Sequence, residues 1–269
     1  MTCSWKYAFA SVIGTYHLSR GLPCQDAIRV SLCRLEKEDV LLAVVSDGAG
    51  SAARGDEGSE FACQFFVEKL HDFVLSGSEI CTLARELCVG WVKDYLSHLE
   101  ERANSCEAQI SDYASTLLAA VVGSRSAVFL QIGDGAIVAS TEDDPDSYTA
   151  IFWPQKGEYE STTFFLTNNK SHENLLILSL DDVSICDLAI FTDGLQRIAL
   201  DFTENEAYNP FFRGMFNPLR GQFDGYLQEL SEQLKNFLGS PRVNEYTEDD
   251  KTLLLASRVI GQQWSEVPD

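Results

Sequence analysis

The sequence predicts one α+β domain built in layers, on three observations. Short aliphatic and β-branched runs recur between Gly, Ser, Asp and Asn, as strands do. Three other segments carry their apolar residues at helical spacing. The order is strands, then helices, then strands, which is a layered α+β pattern and not a repeating βαβ array. At 269 residues and 45% apolar content, the chain can build a sizeable core as a single domain over 1–269.

Each element follows from its own residues. Val40–Ser46 (VLLAVVS) is the first strong strand. Ser59–Leu75 then places Phe61, Phe65, Phe66, Leu70 and Phe73 three to five residues apart, and Ile80–Leu99 repeats Leu83, Leu87, Trp91, Tyr95 and Leu99 every four. Both are expected to be amphipathic helices on a sheet. Thr116–Val122 and Ala127–Ile132 flank Gly123-Ser124-Arg125-Ser126, a hairpin turn by its chemistry. Gly133-Asp134-Gly135 leads on to the apolar Ala136–Ala139, and the whole reads as an antiparallel meander. Glu142–Tyr148 (EDDPDSY) is expected to be a polar surface excursion. Leu175–Leu178 and Leu188–Thr192 are strands, Tyr226–Phe237 is a third helix, and Thr252–Ala256 is a last strand. Between them Asp201–Gly225 mixes Asn, Gly and Pro with aromatics and is the least regular stretch. It is expected to be an insertion or a flap that helps select substrate.

Charge removes whole classes of function. Asp and Glu number 41 against 20 Lys and Arg, a net charge of −21 and a pI of about 4.4, so the field repels a polyanion and argues against nucleic acid. No run approaches the ~18 apolar residues of a membrane span, and no signal-like N-terminus is present. Eight cysteines include no CxxC pair or zinc-like spacing, which suits free thiols in a reducing compartment. The expected location is the cytoplasm, away from membranes.

The chemistry is carried by aspartates at strand ends. Asp47 follows VLLAVVS and opens Asp47-Gly48-Ala49-Gly50-Ser51; Asp193 follows Leu188–Thr192 and opens Asp193-Gly194-Leu195; Asp134 sits in Gly133-Asp134-Gly135; Asp249-Asp250 precede the last strand. One Asp-Gly after a strand is usually only a turn. Several brought together would repel one another, and hard divalent cations are the usual remedy.

The ordered set Cys24-Gln25-Asp26-Ala27, Ser46-Asp47-Gly48-Ala49-Gly50-Ser51, Ala114-Ser115-Thr116, Gly133-Asp134-Gly135-Ala136, Phe191-Thr192-Asp193-Gly194 and Glu248-Asp249-Asp250-Lys251-Thr252 resembles the motif series of the metal-dependent protein phosphatases, the protein phosphatase 2C family, in its compact bacterial branch. The resemblance runs from about Gly14 to Leu255. It implies a four-layer α-β-β-α sandwich of two antiparallel sheets flanked by helices, with two Mn²⁺ or Mg²⁺ ions at one end and a weaker third. Asp47, Asp193 and Asp249 would be the catalytic metal ligands, Asp47 bridging both ions. The Gly48 carbonyl would add a ligand, Asp26 would act mostly through bound waters, and Asp134 would hold the third ion. Asp250, where the family often has Asn, would orient Asp249 or a water; Gln25 stands where many members have a Glu ligand. A metal-bridging hydroxide would then attack phosphorus in line.

The substrate so implied is a protein phosphorylated on Ser or Thr, and the acidic exterior favours basic or neutral surroundings for the phosphoresidue. Ala49 replaces the histidine that eukaryotic members use as general acid. Gly21 stands where a phosphate-binding Arg is often found, leaving Arg54, Arg20 and His17 as candidates to hold phosphate. Two other readings stand beside this one: a regulatory module that keeps the fold without turnover, and a two-metal hydrolase acting on nucleotides.

Overall fold

The computed structural model describes residues 4–36, 38–156 and 163–258. The first part of the chain forms β1 (Trp5–Val12), α1 (Thr15–Arg20), β2 (Asp26–Arg34), β3 (Asp39–Asp47), α2 (Gly55–Leu75) and α3 (Arg85–Ser105). Then come β4 (Leu117–Val122), β5 (Ser126–Ile132), β6 (Ala136–Thr141), β7 (Thr149–Phe152), β8 (Leu176–Asp181) and β9 (Ile185–Phe191). The last part holds α4 (Gln196–Ala199), β10 (Leu200–Asp201), β11 (Glu206–Ala207), α5 (Asn209–Arg220), β12 (Gly225–Tyr226), α6 (Gln228–Leu238), α7 (Pro241–Asn244) and β13 (Lys251–Arg258). One sheet has the order β12-β1-β13-β9-β6-β7 and the other β2-β3-β4-β5-β8. All their pairings are antiparallel except the two-residue contact of β12 with β1.

Period-two alternation sorts the apolar side chains into three cores. Leu41, Ala43 and Val45 of β3 and Leu188 and Ile190 of β9 fill the space between the sheets. Val40, Leu42 and Val44 of β3 turn instead to α2 and α3. Ala189 and Phe191 of β9 turn to α5 and α6 on the other side. The order of layers is therefore helix, sheet, sheet, helix. Central strands buried on both faces read as unbroken apolar runs, which is why β3, β4 and β9 stand out in the sequence.

Several expectations are corrected. The meander breaks at Gly133-Asp134-Gly135: β5 pairs with β4 and β8, whereas β6 pairs with β9 and β7 in the other sheet. Gly133 makes the crossing at φ +119, a backbone region that a side chain would strain. The helix expected from Ile80 is a 3₁₀ turn over Ile80–Thr82, then extended backbone at Leu83 and Ala84, and only then α3. Tyr148 leaves the polar excursion to stack on Phe216, with ring centroids 5.3 Å apart. The stretch 201–225 contains a regular helix, α5, whose Phe212, Phe216 and Leu219 are buried on the β9 and β13 side. Tyr226, expected to begin the third helix, ends β12 instead.

Register then gathers one end of the sandwich. Asp26 at the start of β2 lies opposite Asp47 at the end of β3. Phe191 at the end of β9 lies opposite both Leu253 of β13 and Ala136 of β6. Thr192-Asp193, Asp249-Asp250 and the Asp134 loop consequently emerge together.

Candidate active site

Asp47, Asp134 and Asp193 each offer a carboxylate oxygen, and these oxygens lie within 4.8 Å of one another. Burial raises the Asp47 and Asp193 carboxyls well above the ordinary range, and mutual repulsion adds to it: Asp193 acts first on Asp47, and Asp134 first on Asp193. Asp134 is raised for the same leading reason. Each carboxylate is fixed by its own strand end. The Asp47 N–H donates to Thr116 Oγ1 at 3.0 Å, and the Thr116 N–H returns to the Asp47 carbonyl at 2.8 Å. Gln196 Nε2 donates to the Asp134 carbonyl at 2.6 Å. Asp193 opens a 3₁₀ turn whose Gly194 packs so closely that a Cβ there would run into the Asp250 carbonyl.

Asp26 is buried beside them. Its Oδ2 accepts from Thr192 Oγ1 at 2.8 Å, and that hydroxyl in turn accepts from the Thr252 N–H at 3.0 Å. Its Oδ1 is buried with no hydrogen-bond partner among the described residues. Burial, with the Asp250 charge adding to it, pushes the Asp26 carboxyl up to about 7. An all-oxygen donor set, crowded, desolvated and with one orphaned carboxylate oxygen, fits hard divalent cations. Asp249 is exposed at the rim, its Oδ1 accepting from the Asp250 N–H at 2.9 Å. Asp134, assigned to a weaker third ion by resemblance, is thus a member of the tight group, and Asp249 is not.

The remaining candidates are distributed differently. The Gly48 N–H donates to the Gln25 carbonyl at 3.0 Å, fixing the turn after Asp47. Gln25 turns its amide to the Ala52 carbonyl at 3.3 Å, on the loop that leads to α2. Asp250 accepts from Gly14 N, Gln25 N and His17 Nδ1 at 2.6, 2.6 and 2.9 Å. Arg54 pairs with Glu57 at 2.8 Å, and Arg20 lies over the Tyr16 ring at 3.6 Å. Cys24, beside the acids, has its thiol pushed up to about 12 by burial and by Asp26, so it stays protonated.

Two clefts open on either side of a rim shared by Gly50, Asp193, Gln196 and Asp249. One, of about 630 Å³, also exposes Asp47 and Asp134 and carries Lys156. The other, of about 580 Å³, carries Arg197 together with Tyr16, His17 and Tyr246. Arg54 and Arg20 do not line either cleft. Lys156 and Arg197 were not legible as site residues. Arg197 stands four residues past Asp193, and one helical turn of spacing is the signal that could have found it. Thr192, the donor to Asp26, lies in the Phe191-Thr192-Asp193-Gly194 motif, whose sequence gives no sign of that bond.

The family described as Protein phosphatase 2C matches residues 13–239. The chain is 36% identical over 254 residues to a protein of Escherichia coli K12 named serine/threonine-protein phosphatase 3, covering 94% of this chain and 98% of that one. Among solved structures, the catalytic domain of serine threonine protein phosphatase PstP in complex with two manganese ions superposes with a TM-score of 0.62 at 15% identity, over 96% of this chain and all of that one. Serine/threonine phosphatase Stp1 from Staphylococcus aureus gives 0.60 at 15%, over 95% of each chain. RsbX in complex with magnesium gives 0.55 at 13%, over 95% of this chain and 96% of that one. At those identities the structures speak to the fold.

Proposed function

Since the chain belongs to the protein phosphatase 2C family, we propose that it is a metal-dependent serine/threonine protein phosphatase. The observation that carries the reading is the group Asp47, Asp134 and Asp193 with the orphaned Asp26 oxygen beside it. Asp47, Asp193, Asp134, Asp249 and the Gly48 carbonyl would hold two Mn²⁺ or Mg²⁺ ions, with Asp26 completing the set. When bound, such ions act as Lewis acids that make water nucleophilic near neutral pH and offset charge on the phosphoryl oxygens.

The protein's own groups do the rest. Thr192 orients Asp26 by donating to one oxygen and leaves the other without a partner among the described residues. Gln196 steadies the Asp134 loop. Lys156 and Arg197 place one cation in each cleft, where they would meet a phosphoryl group or its flanking peptide. The phosphorylated partner would lie in basic or neutral surroundings, and the protein would work in the cytoplasm. The inactive-module reading is not favoured, because Asp47, Asp193 and Asp249 are all retained although Gln25 replaces a Glu.

The test is hydrolysis of p-nitrophenyl phosphate and of a phosphothreonine peptide with Mn²⁺, with EDTA, and by Asp193→Asn. Metal-dependent turnover on both substrates, lost with EDTA and with the substitution, is expected. Turnover that survives EDTA would overturn the metal role. Tight Mn²⁺ binding without turnover would point to the regulatory module, and preference for free nucleotides to a different hydrolase.

A further inference from the structure

We propose that His17, held by Asp250, is the proton donor to the leaving-group oxygen; the inference rests on the phosphatase reading above. A serine or threonine alkoxide is a poor leaving group and departs most readily with a proton. As water attacks, its oxygen forms a bond to phosphorus and the bond from phosphorus to the side-chain oxygen breaks. The electron pair stays on that oxygen, which takes a proton from the imidazolium. The proton given up by the water restores the imidazolium, so the cycle closes.

His17 is the imidazole among the described residues that line the two clefts. Of the other groups there, Asp47, Asp134, Asp193 and Asp249 are the ones that would hold the ions, and phenols, an ammonium and a guanidinium ordinarily keep their protons well above neutrality, whereas an imidazole exchanges one near ~6.5.

The geometry around it is built. The start of α1 is strapped to the segment before β13: the Tyr16 N–H donates to the Glu248 carbonyl at 2.9 Å, and the Gly14 N–H to Asp250 Oδ1 at 2.6 Å. Asp250 Oδ2 takes the Gln25 N–H at 2.6 Å and His17 Nδ1 at 2.9 Å. Both carboxylate oxygens therefore face N–H donors, an arrangement that an asparagine could not satisfy because its NH₂ would oppose one of them. This gives a physical reason for an acid at position 250. It also sets the ring with Nδ1–H toward Asp250, so Nε2 is the free end.

That end has no partner. His17 is 2% exposed, and its Nε2 is buried without a hydrogen-bond partner among the described residues. A buried polar atom left unpaired is costly and rare. The ring is part of the wall of the cleft that also exposes Asp193 and Asp249, with Glu248 and Arg197 facing the same space. A substrate oxygen entering this cleft can supply the missing partner, directly or through one water.

The test is a leaving-group series on the Mn²⁺-loaded protein, from p-nitrophenyl phosphate through phenyl phosphate to a phosphothreonine peptide. In the unaltered protein, kcat/KM should depend only weakly on leaving-group acidity. His17→Gln should make the dependence steep, with roughly 10²- to 10⁴-fold lost on the peptide and at least about tenfold less lost on the nitrophenyl ester. Equal losses on both substrates, or a steep dependence already present in the unaltered protein, would overturn the proposal while leaving the phosphatase reading intact. If the unaltered protein hydrolyses none of the esters, the phosphatase reading fails first. The measurement on the unaltered protein keeps the test decisive even if His17→Gln does not fold.

Discussion

Asp26 and Arg197 illustrate how differently single residues enter this site. Asp26 is placed by pairing: β2 and β3 set it opposite Asp47, and Thr192 from the second sheet fixes one of its oxygens. Arg197 is placed by the turn after Asp193, and among the described residues its guanidinium donates to the Tyr246 carbonyl at 3.5 Å. Arg54, by contrast, is committed to Glu57 and is held near the Tyr113 ring. Arg197→Ala should therefore raise KM for a phosphothreonine peptide about tenfold, the loss of one charge-assisted contact of ~1.4 kcal/mol, while Arg54→Ala leaves it within about twofold. Steady-state kinetics on the two variants checks this, and the reverse order would return phosphate binding to Arg54.

At the scale of elements, α5 is the segment whose role changes most between sequence and structure. Its Phe212 and Phe216 are fully buried, and Phe216 stacks on Tyr148, whose hydroxyl donates to the buried Asp187 at 2.9 Å. Phe216→Ala should lower unfolding free energy by about 3–5 kcal/mol, read as a shift in the denaturant midpoint; a change under 1 kcal/mol would make α5 peripheral. The sequence hid this helix because Gly214 and Pro218 interrupt its pattern and its aromatics read as exposed. It hid β1 and β2 for a related reason: Lys6 and Arg29 break apolar runs that otherwise alternate. It hid the crossing between β5 and β6 because an apolar run after a Gly-Asp-Gly turn looks the same whether the chain returns to its own sheet or leaves it. The clustered aspartates were legible because a strand followed by Asp-Gly is a local signal. The clefts were not, since they depend on which loops converge in three dimensions.

For the whole molecule, charge and metal act together. In the metal-free protein burial pushes the Asp26 carboxyl up to about 7, whereas the unfolded chain loses its proton near the ordinary value of 3.8. Between these values the folded state binds the extra proton, so its stability falls as pH rises through that window. Melting temperature should therefore drop between pH 5 and 7.5 in EDTA, and Mn²⁺ should remove most of the drop. A flat profile in EDTA would mean that the carboxylates are not under the stress their burial implies. The net charge of −21 should also make kcat/KM for a peptide with flanking lysines fall with added salt, and fall less for a neutral one; identical salt responses would remove the charge argument for substrate context.

The crossing of the chain at Gly133-Asp134-Gly135 has a mechanical consequence. Asp26 and Asp47 belong to one sheet, Asp193 follows β9 and Asp249 precedes β13 at the end of the other, and Asp134 lies in the crossing between β5 and β6. Ions held by that set would be a rivet through two plates, joined elsewhere mainly by apolar contact. Losing them would free the plates to slide at one end while the opposite end, where Arg258 donates to the carbonyls of Gly123 and Ile185, stays fastened. The sandwich would open like a book from the edge where the aspartates gather.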